Sequence, residues 1–200
     1  SGVIELNFSS HYTQEIPLAE GWNLWSTYID PENSSMMTAF SDIVSDLVIV
    51  KSEDGSVYWP TYGINTIGDI IIGKGYQAKM SSDNTLIMQG SLIPNDFELL
   101  LSSGWNFTGY LHTNCYDASN MMSPVVDNLI IMKDESGSVY WPEFSLNTLA
   151  EMCPGKGYQI KMDNNVVFSY PSEGRFGFDD FNIIEKPIYY KTPVSTGNNM

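Results

Sequence analysis

Apolar and polar positions along this chain follow a pattern that is written twice. Each copy opens with a short apolar run (residues 15–18 and 97–101). A turn follows that ends in Gly21-Trp22-Asn23 or Gly104-Trp105-Asn106, and then a second apolar run (residues 24–29 and 107–111). Glycine after polar residues, between two such runs, predicts a hairpin. Over residues 37–47 the apolar positions Met37, Phe40, Ile43, Val44 and Leu47 keep a helical period, which predicts an amphipathic helix. The polar loop before it ends in Met36-Met37, matched here with Met121-Met122; the second copy is shorter at this point, and Ser123-Pro124 supplies its helix start. Residues 47–50 and 129–132 are rich in β-branched side chains and bounded by turn residues, so they read as buried strands.

The turns at residues 53–56 and 135–138 lead into a shared strand, Val57-Tyr58-Trp59-Pro60 and Val139-Tyr140-Trp141-Pro142, whose proline stops the ladder. Asn65-Thr66 and Asn147-Thr148 follow as expected caps on a short helical turn. Gly73 and Gly155, in the second shared motif Gly-Lys-Gly-Tyr-Gln, are placed to end that turn with positive φ. Both motifs recur at an offset of 82 residues (57 to 139 and 73 to 155). Residues 76–80 and 85–89 close the first copy as strands, and residues 158–162 and 166–170 close the second. The expected fold is mainly β, a β-rich α+β arrangement. It has two tandem homologous units of about six short strands with one or two short helices each, packed as a pseudo-symmetric pair. The expected divisions are a leading strand or linker at 1–12, unit 1 at 13–92, unit 2 at 93–172, and an aromatic-rich tail at 173–200 that could open a further domain.

Composition changes this picture in two ways. With 24 acidic against 9 basic residues the formal charge is −15 and the pI near 4.2, which disfavours nucleic acid and anionic membrane surfaces as partners. No apolar run approaches the roughly 20 residues of a membrane-spanning helix. The opening Ser1-Gly2 reads as a cloning remnant and the last residues carry no terminating feature, so an excised piece of a longer protein is expected. Both cysteines, Cys115 and Cys153, fall in the second copy, where Ile71 stands opposite Cys153. A disulfide in an oxidising compartment and two unrelated buried thiols are both open readings.

Gly21-Trp22-Asn23-Leu24, then Asn65-Thr66, then Gly73-Lys74-Gly75-Tyr76, with their second-copy partners, resemble a repeat of large secreted and cell-surface proteins of bacteria and archaea. Modules of that kind read GWNLIS, then NTL, then GKGYWV. This chain departs from the pattern at Gln77 and Gln159, where the family usually has tryptophan. The resemblance implies extracellular location and neighbouring domains in the same polypeptide, and implies no reaction.

Candidate chemistry is sparse. Lys74 and Lys156 sit between glycines but lead into a strand, so a phosphate loop is rejected in favour of a solvated glycine turn. His112 with Cys115 and Cys153 has the residue types of half a zinc site, and nothing in either copy completes it. Weak calcium candidates are Glu53 and Asp54, Asp134 and Glu135 in the equivalent turn, and Asp179 and Asp180 in the tail. None has EF-hand spacing, and hairpin turns use such residues for backbone reasons. Trp22 with Trp105, and Trp59 with Trp141, are expected in the two cores. Trp25 has no tryptophan counterpart. Taking Leu24 as the core residue leaves Trp25 facing outward or into the groove between units, with packing between the units preferred. If exposed, Trp25, Tyr116, Phe176 and Phe178 would be the ligand-binding aromatics.

The leading expectation is a non-catalytic extracellular scaffold or binding module of a larger secreted or adhesin-like surface protein, without a cofactor. Its partners would be neighbouring domains, a glycan or a surface protein. The alternative is a carbohydrate-binding domain attached to a secreted hydrolase, with Trp25 and the tail aromatics as its platform.

Overall fold

A computed structural model describes residues 11–172. Its first half contains strands β1 (Tyr12–Leu18), β2 (Gly21–Trp25), β3 (Ile29–Pro31), β4 (Leu47–Lys51), β5 (Val57–Trp59), β6 (Ile64–Asn65), β7 (Tyr76–Met80) and β8 (Asn84–Leu92). The second half contains β9 (Leu99–Leu101), β10 (Gly104–Gly109), β11 (Tyr116–Asp117), β12 (Leu129–Lys133), β13 (Val139–Trp141), β14 (Leu146–Asn147), β15 (Glu151–Met152), β16 (Gly157–Met162) and β17 (Val166–Phe168). One short α-helix lies in each half, α1 (Met36–Ala39) and α2 (Ala118–Met121). The fold is mainly β.

Each half is built on an antiparallel five-stranded sheet, and the two sheets have the same order: β2-β7-β4-β5-β6 and β10-β16-β12-β13-β14. Their registers match pair for pair; Trp22 lies opposite Lys79 as Trp105 lies opposite Lys161. A smaller sheet covers each half, β1-β8-β3 in the first and β9-β17 in the second. One core gathers Ile16, Leu18, Trp25, Phe40, Tyr76 and Met80, and the other Tyr110, Met121, Met132, Tyr158, Ile160 and Tyr170.

The repeated residues explain themselves locally. Gly21 and Gly104 take φ of 96° and 97°, which only glycine adopts freely. The asparagine two positions on closes the same turn from inside: Asn23 Oδ1 accepts from the Ala19 amide at 2.8 Å and its Nδ2 donates to the Ala19 carbonyl at 2.7 Å, with Asn106 doing the same to Ser102. The Asn-Thr pair ties down the connection after β5. Thr66 Oγ1 accepts from the Val57 amide and Asn65 Oδ1 from the Gly68 amide, as Thr148 and Asn147 accept from Val139 and Ala150. The tyrosine of Gly-Lys-Gly-Tyr anchors the loop before it, Tyr76 and Tyr158 each accepting a backbone amide at 2.8 Å, from Ile71 and Cys153. Gly73 and Gly155 have the expected positive φ, of 81° and 82°.

Three expectations change. The helix predicted over 37–47 is only α1, followed by a 3₁₀ turn at Ser41–Ile43; the chain turns at Phe40, whose amide closes α1, so that Phe40, Ile43 and Leu47 reach the core while Met37 and Val44 stay exposed. No helix follows the Asn-Thr pairs, because their side chains bond the backbone into open turns. The methionine pairs are not equivalent. The Met36 amide donates to Gly68 and the Ala118 amide to Ala150, so Met36 corresponds to Ala118, and Met121-Met122 to Ala39-Phe40.

Candidate functional site

The two halves meet along a seam made by the repeated motifs themselves. The Gly-Lys-Gly turn of each half lies against the Gly-Trp-Asn strand of the other. The Gly75 amide donates to the Phe107 carbonyl at 3.0 Å and the Gly109 amide to Gly73 at 2.8 Å; on the other side the Ser26 amide donates to Gly155 at 3.1 Å. Ser26 Oγ completes a relay, donating to the Lys156 carbonyl at 2.6 Å and accepting from the Tyr110 amide at 3.0 Å. Close approach is why the second glycine of the motif is glycine. A Cβ on Gly75 would stand 3.0 Å from the Thr108 carbonyl oxygen, and one on Gly157 2.9 Å from that of Trp25.

The motif lysines are structural. Lys74 pairs with Glu53 at 2.8 Å and Lys156 with Glu135, each side chain partly covered. Glu53 also reaches across the seam, its Oε2 accepting from the Phe107 amide at 2.6 Å. Asp54 and Asp134 shape their own turns, accepting from Ser52 and Ser56, and from Ser136 and Ser138. These hydrogen bonds hold the Asp54 carboxyl below the usual carboxylate range. The calcium candidates Glu53, Asp54, Asp134 and Glu135 are thus engaged by protein donors. Among the described residues the grouping with three potential metal ligands is Cys115, Glu151 and Cys153, and there a disulfide takes both thiols.

That disulfide ties the segment before β11 to the residue after β15, two strands that already pair. Beside it Tyr116 packs edge-on to His112, whose ring lies among Tyr110 and Tyr170. Tyr170 is fully enclosed, its hydroxyl donating to the Gly109 carbonyl at 3.0 Å, and burial pushes its ionisation well above the ordinary tyrosine range. Tyr116 is therefore part of the second half's packing, far in role from a shared aromatic platform. Phe176, Phe178, Asp179 and Asp180 lie outside the described residues.

The tryptophans are placed the other way round from expectation. Trp25 is 0% exposed inside the first core, stacked on Tyr76 at 5.4 Å and edge-on to Phe40 at 5.5 Å. Leu24 lies on the opposite face, where its Cγ meets Gly157 of the other half. Strand alternation holds, but here both faces of β2 are covered, and the seam rather than the core takes Leu24. Trp22, two residues from Leu24, shares the outer face and is 47% exposed; Trp105 is 48% exposed. Both lie under lysines, Trp22 with Lys51 and Lys79 at 5.1 and 5.9 Å, and Trp105 with Lys133 and Lys161 at 4.8 and 5.9 Å. Trp59 and Trp141 are half-buried, each edge-on to an exposed ring, Tyr62 or Phe144.

A cleft of about 240 Å³ opens on this outer face across the seam. Trp22, Leu24 and Gln77 line it from the first half, Lys133, Asp134 and Gln159 from the second. The sequence places Trp22 and Trp105 in the two cores, which their exposure contradicts, and their lysines go unremarked there. The signal available was that Trp22 and Lys79 recur together with Trp105 and Lys161 at matching places in both copies. No helix among the described residues is long and apolar enough to cross a membrane. Comparison with protein-family models, curated proteins and solved structures finds no match to this chain.

Proposed function

We propose that this chain is a non-catalytic, extracellular binding module of a larger protein, two tandem units locked into one rigid pair. The observation that carries the reading is that the other repeated residues are used for turns, for the cores or for the seam, while two matched indoles, Trp22 and Trp105, are left on the outer face. Large exposed aromatics at equivalent places suit recognition rather than folding. The Cys115–Cys153 disulfide supports an oxidising compartment. The serines and carboxylates of the turns at 52–56 and 134–138 are held by backbone donors and by each other, an arrangement suited to fixing loops.

The test is made on intact cells that produce the full-length protein. Protease shaving should release peptides of residues 11–172, and non-reducing mass spectrometry should recover Cys115 linked to Cys153. Free thiols together with peptides released only after lysis would overturn the reading.

A further inference from the structure

We propose that the outer face bearing Trp22 and Trp105 binds an acidic polysaccharide, a chain of carboxylate-bearing pyranose rings, laid across the seam. The proposal deepens the reading of the chain as an extracellular binding module and rests on it.

Charge is the first observation. Residues 11–172 hold six lysines and no arginine, on a chain whose formal charge is −15. Lys74 and Lys156 are paired with Glu53 and Glu135. The other four, Lys51, Lys79, Lys133 and Lys161, all stand over the two exposed indoles. Positive charge among the described residues is thus gathered on one face instead of being spread for solubility, and that face complements an anion.

Shape and hydrogen bonding choose the kind of anion. An indole offers a flat apolar surface on which the C–H face of a pyranose ring stacks, and two indoles at matching places suit a ligand of repeated rings. Beside Trp22 the cleft presents the side-chain amides of Gln77 and Gln159, which both donate and accept and so match ring hydroxyls, and Lys133, which also stands over Trp105, links it to the second indole. Asp134 and Glu135 also line the cleft; Glu135 is paired with Lys156, while Asp134 Oδ1 accepts from Ser136 and Ser138 and its Oδ2 is outside those bonds. A carboxylate acceptor calls for a hydroxyl donor, which a sugar ring carries beside its carboxylate and a phosphate lacks. Single-stranded nucleic acid also uses aromatic and basic residues, but its phosphates bring no hydroxyl donor to the carboxylates that line this cleft. The expected carbohydrate platform at Trp25 is excluded by its burial, and this face takes its place.

The test uses the whole 200-residue chain and oligogalacturonate as the probe, followed by calorimetry and indole fluorescence. Saturable binding that quenches fluorescence and weakens with added salt is expected. Trp22→Ala and Trp105→Ala should each weaken it about tenfold, the loss of roughly 1.4 kcal/mol of stacking and contact area. Lys79→Gln combined with Lys161→Gln should weaken it several-fold while leaving the melting temperature unchanged, which keeps the test valid if an indole variant folds poorly. The proposal is overturned by no binding to oligogalacturonate, by equal binding of a neutral cello-oligosaccharide, by tighter binding of poly-glutamate or an oligo-dT strand, or by Trp22→Ala and Trp105→Ala variants that bind like the parent. A surface-located, disulfide-bonded chain that ignores oligogalacturonate sinks this proposal alone; free thiols in an intracellular chain sink the module reading, whatever the titration gives.

Discussion

Where the first unit buries Trp25 against Tyr76, the second has Thr108 against Tyr158 at the same register position. The first unit fills its core with that indole, Phe40, Met36 of α1 and Met88 of β8; the second uses Tyr110 and Tyr170 and adds a disulfide at its edge. The sheets, turns and seam are nevertheless the same. The frame is therefore set by Gly-Trp-Asn, Asn-Thr and Gly-Lys-Gly-Tyr, each through side-chain hydrogen bonds to the backbone, and tolerates different fillers behind it. The second unit even departs from the first in backbone strain: Ser145 and Ala150 take φ of 52° and 60° where the first has Gly63 and Gly68.

The difference can be broken at several strengths. Trp25→Ala should be the most damaging change, costing about 3–5 kcal/mol for a fully buried aromatic. Thr108→Ala at the matching position should cost far less. Equal losses in chemical denaturation would show that the two cores are not filled differently. Removing the disulfide with Cys115→Ser and Cys153→Ser opens a loop whose ends are 38 residues apart, for a loss of about 3–4 kcal/mol. Calorimetry should place that loss in the second unit and leave a first-unit transition near its parent temperature. Gly157→Ala drives a methyl against the Trp25 carbonyl and should cost about 1–3 kcal/mol by overpacking the seam. Gly137→Ala has open space around its Cβ but φ of 87° and should show only the smaller backbone penalty, about 1 kcal/mol.

Alkaline pH acts on both units together. Tyr76 and Tyr158 are pushed above the ordinary tyrosine range, mainly by burial and further by the nearby carboxylates, Asp54 and Glu53 for the first and Glu135 and Asp134 for the second, and Tyr170 by burial foremost. A hydroxyl harder to ionise when folded leaves stability intact below its unfolded value and removes it as pH climbs past about 10. Melting temperature should fall above that point, and less steeply in Tyr170→Phe. Ionisation at the normal tyrosine pH with no loss of fold would contradict the burial. Smallest of all, Ala150→Gly should relieve left-handed strain and raise stability by about 1 kcal/mol or less.

Much of the fold was legible because the chain repeats. The hairpin turns, the strands at 47–50 and 129–132 and the positive-φ glycines follow from short-range rules. The helix over 37–47 was misread because its period is real while the backbone switches from α to 3₁₀ at Phe40, which periodicity cannot register. The tryptophans were misassigned for a longer-range reason. Alternation separates Leu24 from Trp25 but cannot say which face is core when a second unit covers the other. The Gly75 and Gly157 positions held the missing clue, since glycine at the start of a strand marks close backbone approach.

The measurement that bears most directly on the seam is amide hydrogen exchange at Ser26, Gly75, Phe107 and Gly109. These amides donate to the other unit, to Gly155, Phe107, Glu53 and Gly73. Protection comparable to that of β7 and β16 is predicted for all four, lost together in Gly157→Ala. Exchange as fast as in the exposed turns, with β7 and β16 still protected, would mean that the repeated motifs do not join the units.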